Sequence, residues 1–278
     1  MPELPEVQAH AERLTEQFRG AVLQRFVPFN FTALKTAVPP PDAAYGLPLV
    51  EVGRRGKYLL LRFEPVTFVV HLMQGGRLRP DEKQSAKPRG GIARWTFADG
   101  RSLLLTEPGT ERKAGVWVLA GDPEAQDPVA GLGPDADTVD VETLGELLAA
   151  HPMRLHGFLR DQRALAGLGR RLANEICHRA KLSPFAATAK LPADDVARLH
   201  AAVQACVAES LAEERARDHM APSKERGGAV HHRVGEACPV CGDVIRSVEY
   251  RSYTVAYCPT CQTGGKVLAD NTTSKFLK

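Results

Sequence analysis

The stretch "CPVCGDVIRSVEYRSYTVAYCPTC" at residues 238–261 determines the fold of its part of the chain most directly. It holds two Cys-x-x-Cys pairs separated by 16 residues, which is the spacing of four-cysteine zinc sites. The residues between the pairs alternate between apolar and polar, a pattern that predicts a β-hairpin. Four thiolates fill a tetrahedral site and leave no position for catalysis, so we predict one structural Zn²⁺. Its predicted ligands are Cys238, Cys241, Cys258 and Cys261; the alternatives are four free thiols or a redox pair.

The composition is that of a globular protein with room for two domains. The chain has 278 residues, of which 44% are apolar and 25% are charged. No apolar run reaches the roughly 18 residues of a membrane span, and the acidic, proline-containing N-terminus does not resemble a signal peptide. We therefore expect an intracellular protein that does not span a membrane and whose cysteines stay reduced.

Charge is distributed unevenly along the chain, although the net charge is only +3. Residues 151–190 hold eight lysines and arginines against two acidic residues, whereas residues 121–150 hold eight acidic residues and no lysine or arginine. Such asymmetry favours a basic module that faces a polyanion such as nucleic acid. The alternative is a basic surface that is merely solvated.

Residues 1–120 carry the pattern of one helix followed by a β-rich domain. Runs of β-forming residues follow the predicted helix, and Asp99-Gly100 between two of them predicts a hairpin turn. A helix followed by such runs is typical of a β-sandwich or barrel with an N-terminal helix. The apolar face of that helix has four residues at helical spacing: Val7, Ala11, Leu14 and Phe18.

The second half of the chain is predominantly helical in pattern. An acidic segment rich in proline and glycine at residues 121–139 is typical of a linker. The longest helical pattern runs from Asp194 to Arg217, where Cys206 falls among apolar positions and is interpreted as a core residue. Gly167 and Gly169 predict a tight turn entering another helix, whose first N–H groups are suited to bind phosphate.

Four motifs in a fixed order give the chain a family resemblance. They are "PELPEV" at residues 2–7, "GRRGKYLLL" at 53–61, "AGLG…ANE" at 166–175 and "CPVCG…YCPTCQ" at 238–262. In this combination the chain resembles the formamidopyrimidine-DNA glycosylase and endonuclease VIII family over nearly its whole length. The resemblance implies an α+β fold in which an N-terminal helix and β-sandwich precede a helix–two-turn–helix domain with a β-hairpin zinc finger. The implied parts are a catalytic domain at 1–120, a linker at 121–139, the helix–two-turn–helix domain at 140–222, the finger at 234–262 and a tail at 263–278.

The resemblance implies a bifunctional DNA glycosylase that excises oxidised bases and nicks the strand as an apurinic/apyrimidinic (AP) lyase. The implied partner is damaged double-stranded DNA, with single-stranded or abasic DNA as alternatives, and the implied location is the cytoplasm or nucleoid. We expect a monomer. Damaged bases flip out of the duplex into a cleft in that family.

The residue types at the N-terminus suit that chemistry. Once Met1 is removed, Pro2 carries a free amine, and α-amino groups titrate near 8, well below the roughly 10.4 of lysine. Such an amine can attack the sugar C1′ and form a Schiff base. Glu3 resembles the family's general acid/base. Lys57 lies on a strand pattern and resembles the family's phosphate-contacting lysine that assists the chemistry; the alternative is an exposed strand lysine. Glu6 either supports this site or only favours the start of a helix.

Two segments that resemble the family's DNA contacts depart from its pattern. "HLMQGG" at 71–76 replaces "HLGMSG", so that Met73 or Gln74 is the candidate to fill the gap left by a flipped base. "TERKAG" at 110–115 keeps an arginine but places Ala114 where the oxidised-purine branch has an aromatic wedge.

Two further contacts are altered in the second half. Arg170 replaces an asparagine at the helix turn and is still suited to hold a phosphate. Tyr253 stands where the family finger has an arginine, and Arg251 is the candidate replacement. The full set of DNA contacts implied by the resemblance is Lys57, His71, Met73, Gln74, Arg112, Arg170 and Arg251.

The sequence does not assign the chain to one branch of the family, because the short segment before the finger and the N-terminus point to different branches. Only 16 residues separate Ala221 from Cys238, fewer than in the oxidised-purine branch, whereas the N-terminus resembles that branch. The preferred lesion, the opposite base and the choice between β- and β,δ-elimination therefore stay open. Two other functions also stay open: a damage-sensing DNA-binding protein that has lost base excision, and a binder of structured RNA.

Overall fold

The computed structural model describes residues 1–109, 112–220, 225–250 and 253–268, and the chain divides into two compact units. The first unit is Met1–Leu132 with Arg217–Met220, and the second is Gly133–Ala216 with Ala221–Lys278. Within the described ranges, no helix is both long enough and apolar enough to cross a bilayer.

The first unit begins with the predicted N-terminal helix, α1 (Leu4–Phe18). Pro5 lies in its first turn, where the missing N–H has no helical partner to lose. The helix packs on the second strand of the unit. Its buried apolar face includes the four residues predicted from the spacing, Val7, Ala11, Leu14 and Phe18.

Eight strands follow α1 and form two four-stranded sheets in which every pair is antiparallel. One sheet has the order β1-β6-β7-β5 and the other β2-β3-β4-β8. The predicted β-sandwich is therefore confirmed. The strands are β1 (Leu23–Pro28), β2 (Glu51–Arg55), β3 (Tyr58–Arg62), β4 (Val66–His71), β5 (Arg77–Pro80), β6 (Gly91–Phe97), β7 (Ser102–Thr106) and β8 (Gly115–Ala120).

Aromatic side chains join the two sheets in the core. The ring of Trp95 on β6 lies 5.0 Å from Phe26 on β1 and 5.8 Å from Phe68 on β4, and all three side chains are buried. Edge-on contacts of this kind add to the free energy gained by burying the rings. The turn between β6 and β7 is the predicted hairpin, in which Gly100 has φ +86°.

In its described residues, the second unit contains four α helices before the cysteine hairpin and a short fifth helix after it. The longest helix buries Cys206 at 7% exposure, which confirms its interpretation as a core residue. The helix at Leu155–Phe158 has only four residues, because the chain enters a turn directly after it. The helices are α2 (Val141–Ala150), α3 (Leu155–Phe158), α4 (Arg170–Arg179) and α5 (Ala193–Arg215).

The predicted hairpin between the cysteine pairs is present. It consists of β9 (Arg246–Glu249) and β10 (Thr254–Tyr257), paired antiparallel, and the short helix α6 (Pro259–Thr263) follows.

The segment expected to be a linker, residues 121–139, is divided between the two units at Leu132. Its first part holds a 3₁₀ helix, Pro123–Ala125, and packs Val129 against Leu60 of the sandwich. Its second part pairs Asp135 with Ala166.

Candidate functional site

Glu3 and Glu6 form a closed pair at the start of α1. Glu3 is the N-cap residue, and its backbone N–H donates to Oε2 of Glu6 at 2.6 Å. The Glu3 side chain in turn accepts from the backbone of Glu6, which completes a capping box. Both side chains are buried, with 3% and 0% exposure, and Pro2 is buried just before them. The pair therefore fixes the backbone that leads to the Pro2 nitrogen.

Lys57 lies in a two-residue turn between β2 and β3, so the prediction that it lies on a strand was wrong. Gly56 begins this turn with φ +55°, a conformation that glycine adopts readily and that ends the strand before the lysine. The Lys57 side chain is 8% exposed instead of projecting into solvent. A buried ammonium at a turn is held in one place, which is what a positioned cation in a site needs.

Arg54 connects the Lys57 turn to α1. Its Nε donates to Oε1 of Gln8 at 3.0 Å, and its Nη1 donates to the carbonyl oxygen of Gly56 at 3.4 Å. The turn carrying Lys57 and the helix that begins at the Glu3–Glu6 pair are thus linked through one guanidinium.

His71, at the end of β4, is held as a neutral imidazole. Burial, followed by the nearby charge of Lys57, lowers the pKa of His71 to about 4. Its Nδ1 accepts from the backbone N–H of Met73 at 3.1 Å, which places the ring proton on Nε2. Lys57 is thus near enough for its charge to act on the His71 imidazole.

Met73 and Gln74 occupy different environments in the loop after β4. Met73 has φ +51°, is half-buried and packs against the sandwich core, whereas Gln74 is exposed. The following turn depends on Gly76, because a Cβ there would lie 2.2 Å from the carbonyl oxygen of Leu72. Gln74 is thus the residue of the two whose side chain faces solvent.

The loop before β8 is organised by Glu107, which sequence reasoning missed. Its Oε2 accepts from the backbone N–H groups of Lys113 and Ala114, each at 2.7 Å. Ala114 is 2% exposed and belongs to the sandwich core, so position 114 faces inward. Arg112 is exposed, whereas Thr110 and Glu111 lie outside the described residues. A single glutamate six or seven residues from its partners gives no signal in a sequence pattern.

The turn into α4 is closed by one amide side chain. Gln162 accepts from Gly167 N–H at 3.0 Å through Oε1, and its Nε2 donates to the carbonyl oxygens of Arg160 and Leu168, both at 2.9 Å. Gly167 has φ +99°, which favours glycine. Gly169 is the N-cap of α4, so the predicted turn before a helix is present.

Arg170 is the first residue of α4 and is half-buried. Backbone N–H groups at the first turn of a helix lack helical partners and carry partial positive charge, so they are suited to an anion. The candidate replacement for the finger arginine, Arg251, lies outside the described residues.

The four cysteines of the predicted zinc site come together. All four Sγ atoms lie within 4.8 Å of one another, with Cys238 and Cys261 at 3.9 Å and Cys241 and Cys258 at 3.4 Å. With metal–sulfur bonds of about 2.3 Å, a tetrahedral zinc site has sulfur–sulfur edges of about 3.8 Å, so the donor set fits a metal ion.

The cysteine cluster is connected to α4 by His178. Its Nε2 lies 3.3 Å from Sγ of Cys238, and the imidazole is 4% exposed. A metal-bound thiolate can only accept, so this contact requires Nε2 to carry the proton. The amide of Gln262 adds a second connection, because its Nε2 donates to the carbonyl oxygen of Leu182 at 3.0 Å.

Glu175, in the "ANE" part of the motif, holds the chain that leads to the finger. Its carboxylate accepts from three successive backbone N–H groups, those of Ala229, Val230 and His231, at 2.6 to 3.1 Å. Gly228 comes so close that a Cβ there would lie 2.7 Å from Oε1 of Glu175. Together with His178 one turn later, Glu175 makes α4 the support of the cysteine cluster.

Comparisons with known proteins agree with the sequence resemblance. The model of the formamidopyrimidine-DNA glycosylase N-terminal domain matches residues 1–117. An uncharacterised formamidopyrimidine-DNA glycosylase-like protein of Mycobacterium tuberculosis is 39% identical over 162 residues, 58% of this chain and 100% of that protein. The formamidopyrimidine-DNA glycosylase of Bordetella parapertussis is 31% identical over 280 residues, 94% of this chain and 99% of its own length.

Solved structures show the same fold. The crystal structure of the MutM (Fpg) protein of Thermus thermophilus has 27% identity and a TM-score of 0.82, covering 96% of this chain and 100% of that one. A Lactococcus lactis Fpg variant bound to DNA that contains Fapy-dG has 20% identity and a TM-score of 0.83 over 94% of this chain and 100% of that one. At that identity, the likeness concerns the fold alone.

Proposed function

Because the chain belongs to the formamidopyrimidine-DNA glycosylase family, we propose that it is a bifunctional DNA glycosylase and AP lyase acting on oxidised bases. The observation that carries the proposal is the buried Glu3–Glu6 pair directly after Pro2. A helix start does not need a glutamate cap, since serine, threonine, aspartate and asparagine cap better. The presence of glutamate at position 3 is explained if its carboxylate transfers protons in the reaction at the neighbouring Pro2 nitrogen.

The proposed reaction begins after removal of Met1. The lone pair of the Pro2 nitrogen attacks the sugar C1′, the C1′–N glycosidic bond breaks, and the base leaves with a proton. Ring opening gives an iminium ion between Pro2 and C1′, and loss of a C2′ proton then expels the 3′-phosphate by β-elimination. Glu3 moves protons at the sugar in these steps. Water finally hydrolyses the iminium and returns the free amine.

Lys57 and His71 are proposed to assist from the turn before β3 and the end of β4. The Lys57 ammonium is suited to bind a phosphate beside the reacting sugar. His71 is neutral, so it does not compete with Lys57 for the charge of that phosphate. Gln74, being exposed, is the better candidate of the two loop residues to fill the space of a flipped base. Arg112, Arg170 and Arg251 are proposed as further phosphate contacts.

We assign zinc to the cysteine cluster on the basis of its four sulfur donors and their spacing. The ion supplies a structural cross-link and no open coordination position. Cys238, Cys241, Cys258 and Cys261 would hold it, with His178 donating to Cys238. DNA as the partner implies a location in the cytoplasm or nucleoid.

One observation favours a second candidate, a damage-sensing protein that binds DNA without excising bases. Ala114 is buried in the sandwich core, so it provides no side chain to insert into a duplex. Duplexes containing an abasic site, an oxidised purine or an oxidised pyrimidine distinguish the two functions. Base release or strand cleavage supports the enzyme, whereas binding without either supports the sensor.

A further inference from the structure

Tyr253 directly precedes β10 in the finger hairpin, and its ring lies in a stack of planar side chains. Its ring is 4.6 Å from that of Tyr250 with an interplanar angle of 10°, and 6.1 Å from the imidazole of His156 with an angle of 12°. The guanidinium carbon of Arg160 lies 4.1 Å from the Tyr253 ring centroid. All four residues belong to the second unit, so α3, the turn after it and the finger meet in this stack.

The Arg160 backbone is fixed by the turn that precedes α4. Its carbonyl oxygen accepts from Nε2 of Gln162, and the same nitrogen donates to Leu168. Leu168 directly precedes Gly169, the N-cap of α4. Arg160 and the first N–H groups of α4 are therefore parts of one hydrogen-bonded turn.

Among the described residues, the Arg160 guanidinium has no acidic partner, unlike other arginines of the second unit. Other arginines of this unit are paired: Nη2 of Arg179 lies 2.7 Å from Glu209, and Nη2 of Arg198 lies 2.8 Å from Asp195. Within the described ranges, no carboxylate is in ion-pair distance of Arg160 and its side chain donates no hydrogen bond to the protein. Stacking on Tyr253 uses the face of the guanidinium and leaves the N–H edge available.

We propose that Arg160, held in place by stacking on Tyr253, binds a phosphate of the DNA backbone beside the start of α4. The planar N–H edge matches a phosphate in a bidentate manner. It belongs to a basic segment of the sequence, since residues 151–190 hold eight lysines and arginines against two acidic residues. Stacking reduces the conformational freedom that the side chain loses on binding, so Tyr253 acts as a positioning residue. This inference rests on the proposed DNA partner and not on the chemistry at Pro2.

The test is the salt dependence of binding to a duplex with a tetrahydrofuran abasic analogue, which cannot form a Schiff base. We expect Arg160→Ala to raise Kd about tenfold near 0.1 M salt, as for the loss of a charged hydrogen bond. The slope of log affinity against log salt should fall in magnitude by about 0.9, the contribution of one phosphate contact in B-DNA. Arg160→Gln removes the charge but keeps a polar side chain with the same first three carbons, so it should give the same slope change and replaces the alanine variant if that variant folds poorly.

Two further variants separate a phosphate contact from a general charge effect. Arg198→Ala removes an equal charge from a paired arginine of the same unit and should leave the slope unchanged. Tyr253→Leu should weaken binding in the wild type but have little effect in Arg160→Ala, because the two residues act together.

An unchanged slope in both Arg160 variants, an equal slope change in Arg198→Ala, or additive effects of Arg160→Ala and Tyr253→Leu would overturn the inference. A wild-type protein that does not bind the duplex would overturn it as well. Failure of the proposed function is recognised separately, as binding of the wild type with no covalent trapping on natural lesions.

Discussion

The backbone N–H of Glu3 donates to the carboxylate of Glu6 at 2.6 Å, so the first turn of α1 holds the residue that follows Pro2. The sequence did not assign separate roles to Glu3 and Glu6, and this hydrogen bond does so. Glu6 supports the position of Glu3, and the Glu3 carboxylate remains the group next to the proposed nucleophile.

Glu6→Ala should lower the free energy of unfolding by about 1–2 kcal/mol, because a buried cap is lost and the Glu3 N–H loses its acceptor. Urea-induced unfolding measures the change. Glu16→Ala is the matched control, since Glu16 is an exposed residue of the same helix. Equal effects of the two substitutions would show that the capping pair does not stabilise α1.

Glu3→Gln should leave the unfolding free energy within about 1 kcal/mol of wild type while slowing base release at least about 100-fold, the usual contribution of a general acid/base. Single-turnover assays on an oxidised-base duplex measure the rate. Base release at the wild-type rate would remove Glu3 from the proposed mechanism.

Lys57→Gln should weaken cleavage of abasic DNA about tenfold or more, because a cation held in the turn between β2 and β3 is replaced by a neutral group of similar size. Circular dichroism and thermal unfolding should stay close to those of wild type. Lys83→Gln, at an exposed lysine of the same unit, is the control for overall charge. Cleavage unaffected by Lys57→Gln would refute the role.

His178→Phe should accelerate the loss of zinc to a chelator about 10- to 100-fold, as expected when the donor to a metal ligand is removed. Elemental analysis of the wild type should give about one zinc per chain, and a value of zero would refute the site. His200→Phe is the control, because His200 contacts the carbonyl oxygen of Val139 and not the cysteines. Identical release rates in wild type and His178→Phe would show that the contact does not retain the metal.

Stability should fall as the pH is lowered from about 6.5 to about 4. Burial lowers the pKa of His10 to about 4, while its Nε2 lies 2.7 Å from the carbonyl oxygen of Leu78. Histidine in the unfolded chain titrates near 6.5, so as the pH falls the unfolded chain binds this proton before the folded chain does. The contribution to the free energy of unfolding that is present above pH 6.5 is therefore lost between pH 6.5 and pH 4. His10→Gln keeps a donor to Leu78 and should flatten the pH profile of urea-induced unfolding. If His10→Gln has the same pH profile of unfolding as the wild type, His10 is not the source of this pH dependence.

The architecture was predictable wherever it depends on local patterns. The helical spacing of Val7, Leu14 and Phe18, the Asp99-Gly100 turn and the hairpin between the spaced cysteine pairs each depend on neighbours in sequence, and each of these structural predictions was confirmed. Apolar periodicity is a direct record of which side of an element is buried.

The supporting contacts of the candidate site were not predictable in the same way. Glu107, Gln162, His178 and Arg160 act through a few hydrogen bonds or ring contacts to partners that no repeating pattern marks. Lys57 was assigned to a strand because β-forming residues flank it, whereas the positive φ of Gly56 makes a turn there. Such polar contacts depend on the three-dimensional path of the chain and carry no periodic signal.

Covalent trapping on DNA tests directly whether Pro2 forms a Schiff base with the sugar of damaged DNA. The protein, with Met1 removed, is incubated with a duplex containing an abasic site in the presence of borohydride, which reduces a Schiff base to a stable amine. We expect a covalent protein–DNA complex whose linkage maps to Pro2 by mass spectrometry and that is lost in Pro2→Gly. Absence of a complex with abasic, oxidised-purine and oxidised-pyrimidine duplexes, or a linkage at another residue, would contradict it.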